Sequence, residues 1–373
     1  MRWEEKQLDE LGFVGRGKSK HRPRDAVHLY DGPYPFIQTG DVKHANLYIT
    51  NYSQTYSEAG LAQSKLWSKG TLCITIAANI AETAILGIDA CFPDSIIGFI
   101  ADESKCDGRF IKYKFDTIKQ HYQQVSHGAA QDNLSLEKLL SFKMTVPAAQ
   151  AQRRIGDTLS AYDSLIENNL RRMVLLEESA RLLYREWFVR LRFPGHEHTC
   201  IVNSVPQGWE RKQLGEVLTL NYGKALKELD RIEGPVPVYG SSGVVGTHGK
   251  ALAKGPGIIV GRKGNVGSVY WTESDFWPID TVYFIGSSQS NYFFLQNLQH
   301  QRFQNSDGAV PGLNRNYAYS LPVSLPKQML REQFEQAVTP AYEQLLKLRT
   351  MNQKLKTARD LLLPKLMSGE ITV

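Results

Sequence analysis

The chain has 373 residues, a length that predicts two or three domains, each large enough to bury its own core. Its hydrophobic share of 42% and charged share of 22% are those of an ordinary globular protein, and no apolar run reaches the roughly 18 residues of a membrane span. The net charge of +6 permits an anionic partner without requiring one. The four cysteines form no C-x-x-C or zinc-finger pattern, which predicts free thiols and a cytoplasmic protein.

Residues 1–147 form the first predicted domain, a strand-rich mixed region in which glycine turns separate short apolar runs. A basic cluster lies near its start. The cluster contains Arg16, Lys18, Lys20, His21, Arg22 and Arg24. Flexible basic side chains neutralise phosphates, so the cluster is a candidate nucleic-acid contact, and the alternative is a solvated surface loop.

A long helix is predicted over 148–192, directly behind Pro147, because apolar residues there recur with gaps that alternate between four and three. Its predicted packing residues are Ile155, Leu159, Ile166, Met173, Leu176 and Leu183, and Asn169 fills a polar slot in the same seam. This heptad pattern is typical of a helix that buries one narrow stripe against another helix.

A linker is predicted at 193–206, and a second domain at 207–326 repeats the first one. The segment that begins at Trp3 (WEEKQL) returns at Trp209 (WERKQL), and Gly70–Ile100 aligns with Gly255–Ile285. The chain therefore contains two copies of a mixed, strand-rich unit.

The second domain carries a polar loop between two glycines, in which Arg262 and Lys263 are followed by Asn265. Glycines let a backbone come close to DNA, and these side chains supply donors that recognise guanine and adenine edges. The matching residues of the first copy are Ala77 and Ala78, so the charge belongs to one domain while the turn is shared. The alternative is a tight hairpin turn with incidental charges.

Other polar residues lie in or beside short apolar runs and are weaker candidates for base contact. They are Gln38, Thr39, Asn79, Lys224, Tyr239, Ser241, Ser242 and Arg315. Each of them could equally cap a turn, and the sequence leaves the two roles open.

The heptad pattern returns in a second predicted helix, which occupies 327–373 together with a short tail. Its predicted packing residues are Val338, Leu345, Leu348, Leu355 and Leu362, with Asn352 and Arg359 in polar slots. Adding 179 to the first set of positions gives the second set (338 − 159 = 179). We therefore predict an α+β fold: two strand-rich mixed globular domains separated by two long helices that form a coiled coil. Antiparallel packing of the two helices would give this internal duplication a pseudo-two-fold symmetry.

The segment Thr357–Ile371 (TARDLLLPKLMSGEI) closely resembles the terminal signature of specificity (S) subunits of type I restriction–modification enzymes. Ile166–Asn169 (IENN), with the later Trp187 and Phe188, resembles the central helix of that family. Tyr239–Gly243 and Gly261–Gly267 resemble its target-recognition domains. The resemblance covers essentially the whole chain, including the duplicated order.

The resemblance implies a non-catalytic subunit in which each recognition domain reads one half of a bipartite target in double-stranded DNA. The helix pair would set the gap and dock two methyltransferase (M) subunits, and motor-nuclease (R) subunits would complete the complex. S-adenosylmethionine, ATP and magnesium would be bound by these partners, with no cofactor and no metal on this chain. Apolar helix residues outside the seam are the first candidates for M-subunit contacts: Leu165, Leu175, Leu182 and Phe188.

Two other functions compete with this interpretation. Asp94 with Glu103 and Lys105 imitates the PD-(D/E)xK arrangement of metal-dependent nucleases, in which carboxylates hold magnesium, although the second copy lacks the matching E-x-K. The other alternative is a coiled-coil scaffold without a nucleic-acid role. A metal site at His196–His198 with Cys200 is disfavoured, because the donors are crowded into the linker.

Overall fold

The computed structural model describes residues 2–77, 79–127, 135–305 and 312–373. It divides into a first unit, Met1–Arg171 with Leu348–Val373, and a second unit, Arg172–Lys347. Each unit contains one strand-rich globular region and a part of both long helices. Within the described part of the chain, no helix is both long enough and apolar enough to cross a membrane.

Short strands and helices build the globular region of the first unit. Its strands are β1 (Trp3–Lys6), β2 (Gly12–Arg16), β3 (Tyr30–Phe36), β4 (Tyr48–Ile49), β5 (Gln54–Tyr56), β6 (Leu66–Trp67), β7 (Leu72–Thr75), β8 (Thr83–Leu86), β9 (Ala90–Cys91), β10 (Ile96–Ala101) and β11 (Met144–Pro147). Its helices are α1 (Leu8–Leu11), α2 (Thr39–His44), α3 (Glu58–Ala62), α4 (Gly108–His127) and α5 (Leu136–Ser141). The sheets have the orders β2-β10-β7-β8-β4, β5-β3-β9-β6 and β1-β11.

Helix α6 (Ala149–Tyr184), continued by the π-helical turn Arg185–Val189, leads along the chain to the second unit. The strands that follow are β12 (Ile201–Val202), β13 (Val205–Pro206), β14 (Glu210–Gln213), β15 (Asn221–Tyr222), β16 (Val236–Gly240), β17 (Gly243–His248), β18 (Gly257–Gly261), β19 (Val269–Thr272), β20 (Trp277–Pro278), β21 (Val282–Ile285) and β22 (Pro322–Leu325). The helices are α7 (Leu214–Val217), α8 (Tyr292–His300), α9 (Arg315–Ser320) and the long α10 (Gln328–Ser368). The sheets have the orders β15-β21-β18-β19, β17-β16-β20, β14-β22 and β12-β13.

The strand orders of the two units confirm the internal duplication. The order β2-β10-β7-β8 of the first unit returns as β15-β21-β18-β19 in the second, and the antiparallel pair β1-β11 returns as β14-β22. The parallel pair β3-β9 of the first unit also returns at the matching place of the second, as β16-β20. The predicted α+β architecture with two similar globular regions is therefore correct.

Within each unit the two long helices pack against each other and run antiparallel, as predicted. In the first unit Asn169 of α6 donates to Asn352 of α10 (2.8 Å), while the earlier Asp163 meets the later Arg359. In the second unit the end of α6 meets the start of α10, where the rings of Phe188 and Phe334 have centroids 5.1 Å apart.

The helices are part of the core of each unit. Ile155 and Leu159 of α6 and Leu366 of α10 belong to the same buried cluster as Ile74 of β7 and Phe110 of α4. Of the predicted packing residues, Ile155, Leu159, Ile166, Val338, Leu345 and Leu348 are buried, and Met173, Leu176, Leu183, Leu355 and Leu362 are half-buried. In each unit the sheets and the long helices therefore pack into a common core. An isolated coiled coil would bury only the seam between its two helices.

Phe188 differs from its expected position. It was expected to be free for a partner because it lies off the heptad seam, yet it is only 8% exposed. Its ring packs against Phe293 of α8 and Trp209, so the globular region of the second unit covers it. The other off-seam residues, Leu165, Leu175 and Leu182, are exposed.

Candidate nucleic-acid interface

The loop that contains Arg262 and Lys263 starts where β18 ends, at one edge of the central sheet of the second unit. Gly261 pairs with Val282 of β21, and the backbone N–H groups of Arg262 and Lys263 both donate to the carbonyl oxygen of Thr281, at 2.9 and 3.0 Å. A side-chain carbon at Gly261 would lie 2.1 Å from the carbonyl oxygen of Asn265. The glycine is therefore required for the chain to turn back so tightly.

Arg262 and Arg315 both lie beside the ring of Tyr222. Their guanidinium carbons are 5.1 and 4.8 Å from the centroid of that ring, distances at which a cation is attracted to an aromatic face. Tyr222 ends β15 and is 49% exposed. We call these three residues the arginine–tyrosine cluster.

The charges of the arginine–tyrosine cluster are not neutralised within the described residues, where no carboxylate forms a salt bridge with either arginine. Arg262 donates to the carbonyl oxygen of Asp280 (3.2 Å), and the buried Nε of Arg315 has no partner in the described structure. Two guanidiniums held near one ring repel each other, so an anion that bridged them would be stabilised. The N–H groups of the two guanidiniums can form charge-assisted hydrogen bonds with phosphate or with guanine.

The turn between β16 and β17 is joined to the same loop. The hydroxyl of Ser241 accepts a hydrogen bond from the backbone N–H of Asn265 (3.4 Å), and the hydroxyl of Ser268 donates to the carbonyl oxygen of Ser241 (2.6 Å). Ser242 and Asn265 are exposed beside these bonds. The structure therefore brings together predicted residues that are more than twenty positions apart in the chain.

Lys224 and Tyr239 have different environments. Lys224 is exposed after β15, where its backbone N–H donates to the carbonyl oxygen of Pro278 (2.9 Å). Tyr239 is 8% exposed, and its ring packs edge to face on Phe276. In this conformation Lys224 is accessible to a ligand, whereas Tyr239 belongs to the core.

The basic cluster of the first unit is partly neutralised by Asp94. Arg24 donates to both carboxylate oxygens of Asp94 at 2.9 Å, and Arg16 donates to its carbonyl oxygen at 2.5 Å. Arg22 turns back onto the carbonyl oxygens of Ser19 and His21, at 2.7 and 2.8 Å. Of the remaining cluster members, Lys18 and Lys20 are exposed and His21 is half-buried.

Gln38, Thr39 and Asn79 lie around α2. Gln38 and Thr39 are half-buried at the start of this helix, and Gln38 donates to the side chain of Gln54 (2.9 Å). Lys43 near the end of α2 donates to the side chain of Asn79 (3.3 Å). Ala77 precedes Asn79 in the loop that matches the Arg262 loop, and Ala78 lies outside the described residues.

The nuclease alternative finds no support in the placement of its residues. Strand β10, six residues long, separates Asp94 from Glu103, so the two carboxylates lie beyond opposite ends of it. At 3.3 Å per residue they are roughly 20 Å apart, whereas one magnesium ion needs its oxygen ligands at about 2 Å. Asp94 binds Arg24, and Lys105 pairs with Asp102 at 3.2 Å. Nowhere in the described residues do three His, Cys, Asp or Glu side chains group as metal ligands.

Tyr222 is the main residue of the interface that the sequence did not indicate. It comes two positions before the candidate Lys224, at the end of a short strand. Its ring also contacts Tyr283 (5.1 Å between centroids), and burial raises the pKa of Tyr283 to about 12, so this phenol stays neutral at physiological pH. An exposed aromatic residue just before a glycine and a lysine was the available signal.

Comparisons with known proteins agree with this description. The family model for the type I restriction modification DNA specificity domain matches residues 1–177 and 206–335. The MjaIX type I restriction enzyme specificity subunit of Methanocaldococcus jannaschii is 24% identical over 409 residues, which cover 100% of this chain and 94% of that protein. The putative MjaX specificity subunit of the same organism is 22% identical over 165 residues, 44% of this chain and 37% of that protein.

One solved structure shares the fold over nearly its whole length. It is the S subunit of a type I restriction–modification system from M. genitalium, with a TM-score of 0.64 and 19% sequence identity. The alignment covers 98% of this chain and 96% of that chain. This likeness supports the duplicated architecture described above.

Proposed function

Because this chain belongs to the family of type I restriction modification DNA specificity domains, we propose that it selects the DNA target of a methylating and restricting complex. Each globular region reads one half of a bipartite target in double-stranded DNA. The chain contributes recognition, and catalysis belongs to its partners.

The observation that carries this proposal is the arginine–tyrosine cluster. Two guanidiniums without a carboxylate partner in the described residues lie beside an exposed ring, at the edge of a sheet where loops converge. Such groups bind phosphates and recognise guanine edges, and an aromatic ring supplies a flat face beside them. Asn265, Ser242 and Lys224 add exposed polar side chains in neighbouring loops of the same unit.

The helix pair has two roles in this proposal. Its length sets the gap between the half-sites, and its exposed faces dock two M subunits. Leu165, Leu175 and Leu182 are exposed apolar residues on α6 and suit the second role, because isolated apolar side chains on a helix fit the groove of a partner. R subunits complete the restriction complex.

The proposed partners supply the chemistry. S-adenosylmethionine belongs to the M subunits, and ATP and magnesium belong to the R subunits. The complex works in the cytoplasm, where its DNA substrate is found.

The test is co-expression of this chain with an M subunit from the same system, followed by genome-wide mapping of methylated adenines. The expected result is one motif with two short half-sites and an unread gap of constant length. Deleting one full heptad from each helix should change the gap and leave both half-sites intact. Methylation without a bipartite motif would overturn the proposal.

A coiled-coil scaffold without a nucleic-acid role predicts a different result. Its association with DNA would be absent or would not depend on salt. The proposed subunit should instead bind DNA with an affinity that falls steeply with salt, since every neutralised phosphate releases a counterion.

A further inference from the structure

The coiled-coil seam of the first unit contains two buried polar layers. In the first layer Asn169 donates to Asn352 (2.8 Å), and Asn352 donates to the carbonyl oxygen of Ile166 (3.2 Å). Their exposed fractions are 3% and 6%. We call them the asparagine pair.

The second layer is ionic. The carboxylate of Asp163, whose side chain is 2% exposed, accepts hydrogen bonds from Arg359 of α10 and from the phenol of Tyr113 in α4. Burial and the neighbouring carboxylate raise the pKa of Tyr113, so its phenol remains a donor. Asp163 therefore joins three helices, two from the seam and one from the globular region. We call Tyr113, Asp163 and Arg359 the ionic junction.

The ionic junction occurs in one copy of the repeat. The position that matches Asp163 is Tyr342 (342 − 163 = 179), and the position that matches Arg359 is Ala180 (359 − 180 = 179). In the second unit Tyr342 accepts a neutral hydrogen bond from Gln296 at 2.8 Å. A polar device present in only one of two repeats is not needed to build the repeated fold.

We infer that the asparagine pair and the ionic junction together fix the register of α6 against α10, and thereby determine the length of the gap in the DNA target. This inference rests on the proposed function of the helix pair as the spacer between half-sites. A heptad seam made of leucines alone tolerates slips of seven residues, because every slip again sets apolar against apolar. Buried polar residues remove that tolerance.

Both possible slips of one heptad are penalised. A slip in one direction sets Asn169 against Leu345 and takes Arg359 away from its carboxylate. A slip in the other direction sets Asp163 against Leu366 and Asn352 against Leu176. Each slip leaves buried amides or charges without partners. The free energy lost in this way exceeds what the re-formed apolar contacts of the shifted seam contribute.

The slip would have a definite size on DNA. Seven residues at 1.5 Å rise amount to about 10 Å, which is about three base pairs at 3.4 Å each. The two polar layers should therefore favour the native gap over gaps that are about three base pairs longer or shorter.

The test compares two variants in the complex with the M subunit. The apolar variant (Y113F, N169L, N352L, D163L and R359L) removes both layers. The relocated variant (N169L, L176N, L345N and N352L) keeps the ionic junction and moves the asparagine pair by one heptad, since Leu176 faces Leu345 in the antiparallel spacing. Thermal unfolding first establishes that both are folded.

Methylation rates are then measured on duplexes that carry the mapped half-sites with the native gap, or with a gap changed by three base pairs. We expect the wild-type complex and the relocated variant to prefer the native gap equally, and the apolar variant to lose about tenfold or more of that preference, since one unpaired buried amide already corresponds to about tenfold. Wild-type discrimination by a folded apolar variant would overturn the inference. Loss of discrimination by the relocated variant would also overturn it, because pairing would then not be the cause.

A failure of the proposed function gives a different result from a failure of this inference. If the wild-type complex shows no dependence on half-sites, the spacer role itself is wrong. If half-sites are read and only the gap preference of the apolar variant stays unchanged, the register argument alone is wrong.

Discussion

The two units have similar central sheets and differ in the loops that follow the strands. Both central sheets contain the same order of four strands, and the matching loops follow β7 in the first unit and β18 in the second. The second loop carries Arg262 next to Tyr222, whereas the first carries Ala77, and Arg24 of the first unit is bound by Asp94. Strand residues are constrained by the core, while loop residues change at little cost to stability. Under the proposed function, such a division would let one fold read two different half-sites.

A second difference concerns how each globular region is joined to the helices. The first unit uses the ionic junction, and the second uses an aromatic cluster of Tyr184, Phe188, Phe293 and Phe334. Buried aromatic rings stabilise a fold through the large apolar area that they remove from water, whereas a buried ion pair adds little net stability. Truncation of an aromatic ring in this cluster should therefore lower the stability of the second unit.

The largest expected effect is that of Phe188→Ala. Removing a buried ring that contacts five other aromatic rings leaves a cavity, so the variant should lose about 3–5 kcal/mol of unfolding free energy. Leu182→Ala is the matched control, because this residue of the same helix is exposed and should change stability little. Urea unfolding combined with hydrogen exchange should show the loss in the second unit. Equal losses in both variants would contradict the aromatic-cluster argument.

Arg262→Ala should mainly affect recognition. The variant loses a bidentate donor, so affinity for the mapped target should fall by about 1–3 kcal/mol, or roughly fivefold to 150-fold. Discrimination should relax at the second half-site and stay unchanged at the first. Arg211→Ala removes an exposed arginine from β14 of the same unit and serves as the control. Fluorescence anisotropy with duplexes altered in one half-site at a time measures both effects, and an equal loss at both half-sites would refute the assignment.

Asp94→Asn should give the first unit an arginine without a carboxylate partner, as the second unit already has. The substitution releases Arg24 from a salt bridge between half-exposed groups, which contributes at most about 1 kcal/mol to stability. The freed guanidinium can neutralise a phosphate, so the slope of log affinity against log salt should steepen by about one. An unchanged slope would show that Arg24 lies away from DNA. Loss of DNA cleavage with intact DNA binding would instead revive the nuclease alternative.

The smallest effect concerns the thiols, which report on the two units separately. Cys73, Cys91 and Cys106 are buried in the first unit, and Cys200 of the second is exposed. Burial raises the pKa of Cys106 to about 12 and also raises the pKa values of Cys73 and Cys91, which keeps these thiols protonated and unreactive. A disulfide reagent should therefore modify one thiol rapidly in the native chain, and Phe188→Ala should leave the other three protected. Rapid modification of a second thiol would contradict this burial pattern.

The sequence predicted those parts of the fold that depend on periodicity and repetition. The heptads identified both helices, and the repeated segments identified both globular regions, because helix and strand patterns are local properties of the chain. The antiparallel arrangement of the two helices was implied by the family resemblance, because periodicity alone does not distinguish parallel from antiparallel packing. Polar slots such as Asn169 were visible as interruptions of that seam.

The remaining features depend on residues that are distant in sequence. Nothing near Phe188 shows that α8 will cover its outer side, and nothing near Asp163 shows that Tyr113 of α4 will donate to it. The arginine–tyrosine cluster joins three segments, so no single window contains it. Asp94 looked like a possible metal ligand because its partner, Arg24, lies seventy residues away.

The division of the chain has a consequence for synthesis. The second unit is one continuous segment, Arg172–Lys347, whereas the first is assembled from Met1–Arg171 and Leu348–Val373. Leu366 and Met367 lie in the same buried cluster as Ile74 and Phe110, so the first core stays open on the ribosome until these late residues emerge. The second unit can therefore fold first, and the early half of α6 is then available for the last part of α10 to pack against. A nascent chain stopped at Lys347 would thus carry a complete second unit and a first unit with an exposed apolar face.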